Sequence, residues 1–213
     1  MPASLLMKEF ILKLADIVTV SSGHPFRGKI PEKPGSGIYA IQMKDVSPED
    51  GVCWDSVIET ELTGKKQPDW LAPGDILFVA RGSFNYAVLI EEMGKQAICA
   101  PHFYILRVTN PSLLPAFLVW QLNQRPLQNY FDRVAEGSVT KSIRRSILEH
   151  TEITVPTIEK QNQILGLYKT IMREKKLYAE LISNADKLMH ALACDLTANK
   201  TLQTVNTHRE SQS

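Results

Sequence analysis

"VPTIEKQNQILGLYKTIM" (Val155–Met172) decides the reading of this chain. Before it, short strands, turns and small helices alternate. From Thr157 onward nothing interrupts a helical pattern for almost forty residues. Thr157, directly after Pro156, is the expected N-cap. Ile164, Tyr168, Ile171, Lys175, Tyr178, Ile182, Ala185, Met189 and Leu192 then follow in steps of four and three. All but Lys175 suit an apolar seam, and Leu167, Leu181 and Leu188 widen the stripe. Gly166 weakens the pattern by about 1 kcal/mol relative to alanine. The spacing predicts a helix over residues 157–195 that supports a coiled coil or a bundle. At 1.5 Å per residue it would run roughly 57 Å, against about 30 Å for a compact domain built from the preceding residues. A helix that outreaches its domain must bury its stripe elsewhere, and a second copy of itself is the simplest partner. The polar residues 196–213 are expected to form a flexible tail.

Working back from the helix, residues 1–156 read as one β-rich domain. Phe10–Val20 mixes helix and strand signals and leads into a first strand. Ser21–Gly37 (SSGHPFRGKIPEKPGSG) is a long Gly/Pro/Ser loop, of the kind that more often carries function than not. Ile38–Val46 alternates as a strand. Pro73-Gly74-Asp75 turns the chain into strand Ile76–Ala80; Arg81–Asn85 is a polar loop, and Tyr86–Ile90 is β-rich again. Phe103–Val108 is a further strand. Helical spacing begins near Pro115 and is disturbed at Pro126. A short helical stretch ends near His150, and a last strand covers Glu152–Val155.

The 213 residues suit one domain with an appended element. Apolar residues make up 44% and charged residues 22%, an ordinary soluble composition, and no run of 18 apolar residues predicts a membrane span. Three cysteines (Cys53, Cys99, Cys194) without a CxxC pair point to a reduced, cytoplasmic setting. A net charge of +1 conceals asymmetry: six acids and no base lie between Asp45 and Glu61, and three bases and no acid between Gly137 and Arg145.

The residues form no catalytic constellation. Phosphate-loop and nucleophile-elbow motifs are absent from the sequence, the histidines lack metal-ligand spacing, and no cofactor is expected. Asp69 and Asp75 flank a turn without the acid–x–Lys pattern of a nuclease. His24 and His102 neighbour prolines and read as structural. What remains is a set of polar and basic loop residues. They are Arg27, Lys29 and Lys33; Gln42 and Lys44; Lys65, Lys66 and Gln67; Arg81, Ser83, Asn85 and Tyr86; and Ser138, Lys141, Arg144 and Arg145. Lys and Arg neutralise phosphates, while Arg, Gln, Asn and Ser read base edges. The set acts as a DNA surface only if the loops share a face.

Several segments together resemble the specificity (S) subunit of type I restriction-modification systems, in a half-length form. They are "SSGHPFRG", "IQMKDV", "LAPGDILFVARGS", "APHFYILRV", "PAFLVWQLN" and "GSVTKSIRRSILEHTEITVPTIEKQNQI" with the long helix behind it. The resemblance implies an α/β (α+β) fold, with a target recognition domain followed by one helix that forms an antiparallel coiled coil in a dimer. It implies a non-catalytic subunit that reads half of a bipartite site on double-stranded DNA. Modification (methyltransferase) subunits and, in the full complex, a restriction subunit would supply the chemistry. In the homodimer, Ile164, Tyr168, Ile171, Tyr178, Ile182, Ala185, Met189 and Leu192 would form the seam, and the helix would act as a ruler for the unread spacer. Two other readings remain open: an adaptor that pairs with a full S subunit without reading DNA, and a small nuclease or methyltransferase.

Overall fold

The computed structural model describes residues 10–62, 67–137 and 140–210, with side chains as far as residue 197. In chain order come β1 (Phe10–Lys13), α1 (Leu14–Ile17), β2 (Val18–Ser22), β3 (Ile38–Ile41), a 3-10 turn (Met43–Asp45), β4 (Val46–Ser47), β5 (Gly51–Val52) and β6 (Ile58–Glu59). There follow β7 (Ile76–Val79), β8 (Arg81–Gly82), β9 (Ala87–Leu89), β10 (Gln96–Cys99) and β11 (Phe103–Val108). The last elements are α2 (Pro115–Leu122), α3 (Arg125–Val134), β12 (Lys141–Ser142), α4 (Arg145–Glu149), β13 (Glu152–Val155) and α5 (Ile158–Glu210). The fold is mixed α/β with a long C-terminal helix. It divides into two units, the first ending at Leu165 and the second beginning at Gly166.

The first unit is built around a four-stranded antiparallel sheet in the order β2-β11-β7-β9. Its strands alternate between two cores. Ile76 and Phe78 of β7, Leu106 of β11 and Ala87 of β9 face a core completed by α2, α3, α4 and β13. Leu77 and Val79, Phe103 and Ile105, and Val88 and Ile90 face a second core with Ile41, Val57, Leu71, Ala97 and Cys99. A strand side chain points to alternate faces, so burial on both faces explains the uninterrupted apolar run ILFV. Phe78 meets Phe131 of α3 edge-on, with ring centroids 5.2 Å apart. The second core is floored by a smaller sheet, β10-β3-β6, in which β10 and β3 run parallel.

Amide side chains stand in for missing strand neighbours. Asn123, at the end of α2, accepts from Ala87 N–H and donates to Ala87 C=O, both at 2.8 Å. Gln121 does the same for Thr154 of β13, at 3.1 Å each way. Gln161 of α5 is fully buried; it accepts from Leu114 N–H and donates to Ser112 and Pro156 carbonyls. These contacts satisfy backbone groups that burial would otherwise leave unpaired.

Four expectations need adjustment. The strand expected over Ile38–Val46 stops at Ile41. There the buried Asp45 carboxylate accepts from Gln42 N–H (2.8 Å) and Ser56 Oγ (2.9 Å), closing a turn. Strand β10 has no counterpart in the sequence reading, since its four residues alternate too briefly. The pattern disturbed at Pro126 resolves into two helices, with Pro126 in the first turn of α3, where its missing N–H costs nothing. The helix expected to end at Asp195 continues to Glu210 in place of a tail. Polar residues do not stop a helix; glycine and proline do, and neither occurs after Asp195. At the other end, Thr157 Oγ1 accepts from Lys160 N–H at 3.4 Å, the expected cap.

Gln161→Leu removes the side-chain partner of three backbone groups, that of Pro156 buried, and should lower unfolding free energy by about 2–4 kcal/mol. A urea midpoint unmoved by that change would contradict the surrogate role given to this amide.

Candidate nucleic-acid interface

The connection from β7 to β9 carries Arg81, Ser83, Asn85 and Tyr86 of the expected contact residues. Tyr86 C=O accepts from Val79 N–H at 2.8 Å, which closes the hairpin. Within it, β8 turns aside and pairs with β12: Lys141 stands opposite Gly82 and Ser142 opposite Arg81. Ile143 N–H reaches Ala80 C=O at 2.9 Å, extending the pairing. A β-carbon at Gly82 would lie 3.3 Å from Phe84 O and Val79 Cγ1 and 3.5 Å from Met43 Sδ, so the Met43–Asp45 turn lies alongside. Tyr86 ties it further, its hydroxyl donating to Val46 C=O at 3.0 Å. Three segments far apart in sequence thus form one ridge: 42–46, 80–86 and 140–143.

The ridge gathers many of the expected DNA-contact residues but gives them different jobs. Lys44, Arg81 and Ser83 are exposed. Asn85 is only 4% exposed, and its amide donates to Val79 C=O at 2.9 Å. It holds the loop and is withdrawn as a reader of base edges. Tyr86 is half-buried with its hydroxyl committed to Val46, another holding role. Gln42 is half-buried at the start of the 3-10 turn, which its backbone N–H closes onto Asp45. Arg27 and Lys29 are exposed on the loop after β2, and the described contacts do not join them to the ridge. That loop is anchored at its far end by β6: Thr60 Oγ1 donates to Pro31 C=O at 2.7 Å, Lys33 pairs with Glu61, and the Glu59 carboxylate accepts from Tyr39 OH at 2.8 Å. The Tyr39 hydroxyl, followed by the loop amides of Gly35, Gly37 and Ser36, holds the Glu59 carboxyl below its ordinary range. Lys65, Lys66 and Ser138 lie outside the described residues.

The three bases between Gly137 and Arg145 all meet acids from flanking elements. Lys141 pairs with Asp132 at 2.5 Å, Arg144 with Glu136 at 2.7 Å and Arg145 with Glu149 at 2.7 Å. The acid-free window in the sequence is therefore not acid-free in space. Each pair has a solvated partner, and pairs of that kind contribute about 0–1 kcal/mol. A phosphate can replace the carboxylate at little cost.

Phe84 was missed by the sequence reading. It is 71% exposed at the loop tip, with Lys141 Nζ 6.0 Å from its ring centroid. An aromatic residue inside the polar turn "GSFNY" was the available signal.

Enzymatic alternatives lose their candidate groups. Arg107 clamps Asp75 through Nε (2.9 Å) and Nη2 (3.0 Å), Asp69 through Nη1 (2.7 Å) and the Trp70 carbonyl through Nη2 (2.8 Å). Asp75 first, then Asp69, holds the guanidinium pKa above its ordinary value. Both carboxylates serve this clamp between β11 and the 69–75 turn. His24 is buried, its ring edge-on to Phe26 at 5.0 Å. Burial, and then the charge of Arg81, keep His102 below the ordinary histidine range. Burial pushes the Cys99 thiol well up, so it is an inert packing group. Among the described residues no group of three His, Cys, Asp or Glu could hold a metal, and no helix is long and apolar enough to cross a membrane.

The second unit carries the other expected site. Ile171, Tyr178, Ile182, Ala185, Met189 and Leu192 are exposed, with Leu167, Leu181 and Leu188 beside them. Tyr168 is half-buried. Ile164 is different: with Leu165 it packs on the first unit's own core and leaves the proposed seam.

Comparison with known proteins adds the following. Residues 8–182 match the family model described as the type I restriction modification DNA specificity domain. No curated protein matches. The crystal structure of a type I restriction-modification system S subunit from M. genitalium is similar at 16% identity and a TM-score of 0.56, over 86% of this chain and 44% of that one. The HsdS subunit from Thermoanaerobacter tengcongensis is similar at 16% identity and a TM-score of 0.58, over 81% and 40%. A structure addressing complex assembly and conformational transition of the type I R-M system gives 17%, 0.58, and the same coverage. The chain therefore spans less than half the length of these proteins, and the likeness is one of fold.

Asn85→Ala should cost about 1–2 kcal/mol by freeing the loop and leaving Val79 C=O unpaired, whereas Arg81→Ala should change stability by less than about 0.5 kcal/mol. Urea unfolding of the two variants checks this assignment, and equal losses would contradict it.

Proposed function

Because the chain belongs to the type I restriction modification DNA specificity domain family, we propose that it is a non-catalytic subunit that reads one half of a bipartite site on double-stranded DNA. The observation that carries the reading is the ridge, which brings Lys44, Arg81, Ser83 and Lys141 together on a firmly tied loop cluster. Lys141 and Arg144 hold phosphates after exchanging their carboxylates, Arg81 holds a further phosphate, and Ser83 faces the base edges. Arg27, Lys29, Arg145 and the residues outside the described part, Lys65, Lys66 and Ser138, extend the contact along the duplex.

Two copies pair through α5, antiparallel, along Tyr168, Ile171, Tyr178, Ile182, Ala185, Met189 and Leu192. Antiparallel pairing sets one reading domain, residues 1–156, at each end of a two-fold dimer, matched to an inverted repeat with an unread spacer. The helix sets the spacer length. Methyltransferase subunits, and in the full complex a restriction subunit, act on DNA in the cytoplasm at the sites this chain selects. The adaptor alternative shares the helix but not the DNA contact. The acids beside Lys141, Arg144 and Arg145 are the observation in its favour.

Two measurements separate these readings. Removing two phosphate contacts with Lys141→Ala and Arg144→Ala should reduce the log–log salt slope of DNA binding by about 1.8; an unchanged slope would favour the adaptor. In sedimentation equilibrium the chain should be dimeric and Ile171→Glu with Ile182→Glu monomeric, while a monomeric wild type would remove the pairing.

A further inference from the structure

Phe84 presents a large apolar surface to water on a loop that is otherwise tied down. Its exposure is not a consequence of slack. The Asn85 amide fixes the residue after it, Tyr86 is anchored to Val46, and β8 before it is paired with β12. The ring lies outside both apolar cores of the first unit. Positive groups surround it: Lys141 at 6.0 Å from the centroid, at the outer limit of a cation–π contact, and the exposed Arg81 and Lys44 on the same ridge. Asp132 shares Lys141, whereas Arg81 and Lys44 form no ion pair among the described residues.

A partner for this arrangement needs anions at its rim and an apolar feature between them. The DNA major groove supplies both. Phosphates line its edges, and the C5-methyl of thymine is the apolar group on its floor. The groove also admits a two-stranded β-ribbon, and the β8–β12 pair beside Phe84 is one.

Resting on the DNA-reading proposal above, we propose that Phe84 is a specificity-determining residue whose ring contacts a thymine C5-methyl in the major groove, between phosphates held by Arg81 and Lys141.

The test uses the full chain and duplexes with a randomised centre. Wild type, Phe84→Ala and Phe84→Leu are each taken through binding selection, and thymines in the selected consensus are then replaced singly by uracil, which deletes only the methyl. For wild type, one such replacement should weaken binding about fourfold, the worth of one buried methyl. Phe84→Ala should lose both that sensitivity and the preference at that position, with the other positions unchanged. Phe84→Leu, still apolar, should keep part of both. Since the ring is outside the core, the urea midpoints of all three should agree. The proposal is overturned if Phe84→Ala keeps the same consensus and the same uracil sensitivity, or weakens every position alike. It is also overturned if 2-aminopurine in the site brightens only with the wild-type ring, the mark of a wedge between bases. A wild-type chain that enriches no sequence at all fails the DNA-reading proposal itself, a result distinct from any of these.

Discussion

Ile76 and Phe78 leave β7 in one direction and Leu77 and Val79 in the other, and both directions end in apolar packing. This double burial constrains everything else in the first unit. A strand with no wet face offers partners only the loops at its ends. It also requires two covering layers, and the chain supplies them from different parts of its length. Helices α2, α3 and α4 close one side, and the β10-β3-β6 sheet with its loops closes the other. Edge groups of the strands would be exposed where the coverings meet. Asn123 and Gln121 fill those places with side-chain amides, which pair with the backbone as another strand would. The ridge is a product of the same constraint, since β8 must leave the covered sheet and find its hydrogen bonds on β12.

The second unit poses the opposite problem. Leu167, Leu181, Ile182, Leu188 and Met189 face water along a helix that has no core of its own. Burying each such side chain is worth about 1.5–3 kcal/mol. An exposed stripe of this kind calls for a partner surface. The two-fold pairing proposed above would account for both the length of the helix and the regular three–four step of its apolar residues. Residues at the start of α5 serve the first unit instead: Gln161 bonds to the α2 entry, and Ile164 packs on the core. The apolar period, interrupted at Lys175, runs through both uses.

How far the sequence discloses this structure depends on the length of the signal. The long helix and its cap at Thr157, the strands Phe103–Val108 and Glu152–Val155, and the break at Pro126 all rest on strong periodicity or on proline. The two-residue strands carry no period and exist because distant segments pair. The helix end is not legible because polar residues after Asp195 carry no stop signal. At the site, Arg81 and Lys141 are legible as residue types, but the pairing of β8 with β12 that brings them onto one ridge is not. Asn85 is ambiguous for the same reason, since an amide that holds a loop and one that reads a base look alike in sequence. The acids beside Lys141, Arg144 and Arg145 come from elements flanking the window and were invisible to a count within it.

The central claim is that α5 measures distance on DNA. Inserting seven residues that repeat the apolar step after Glu174 keeps the stripe in phase and lengthens the helix by about 10 Å. Sites selected by the lengthened chain should keep the same half-site sequences, with the spacer longer by about three base pairs. Selection of the original spacer by the lengthened chain would contradict the account.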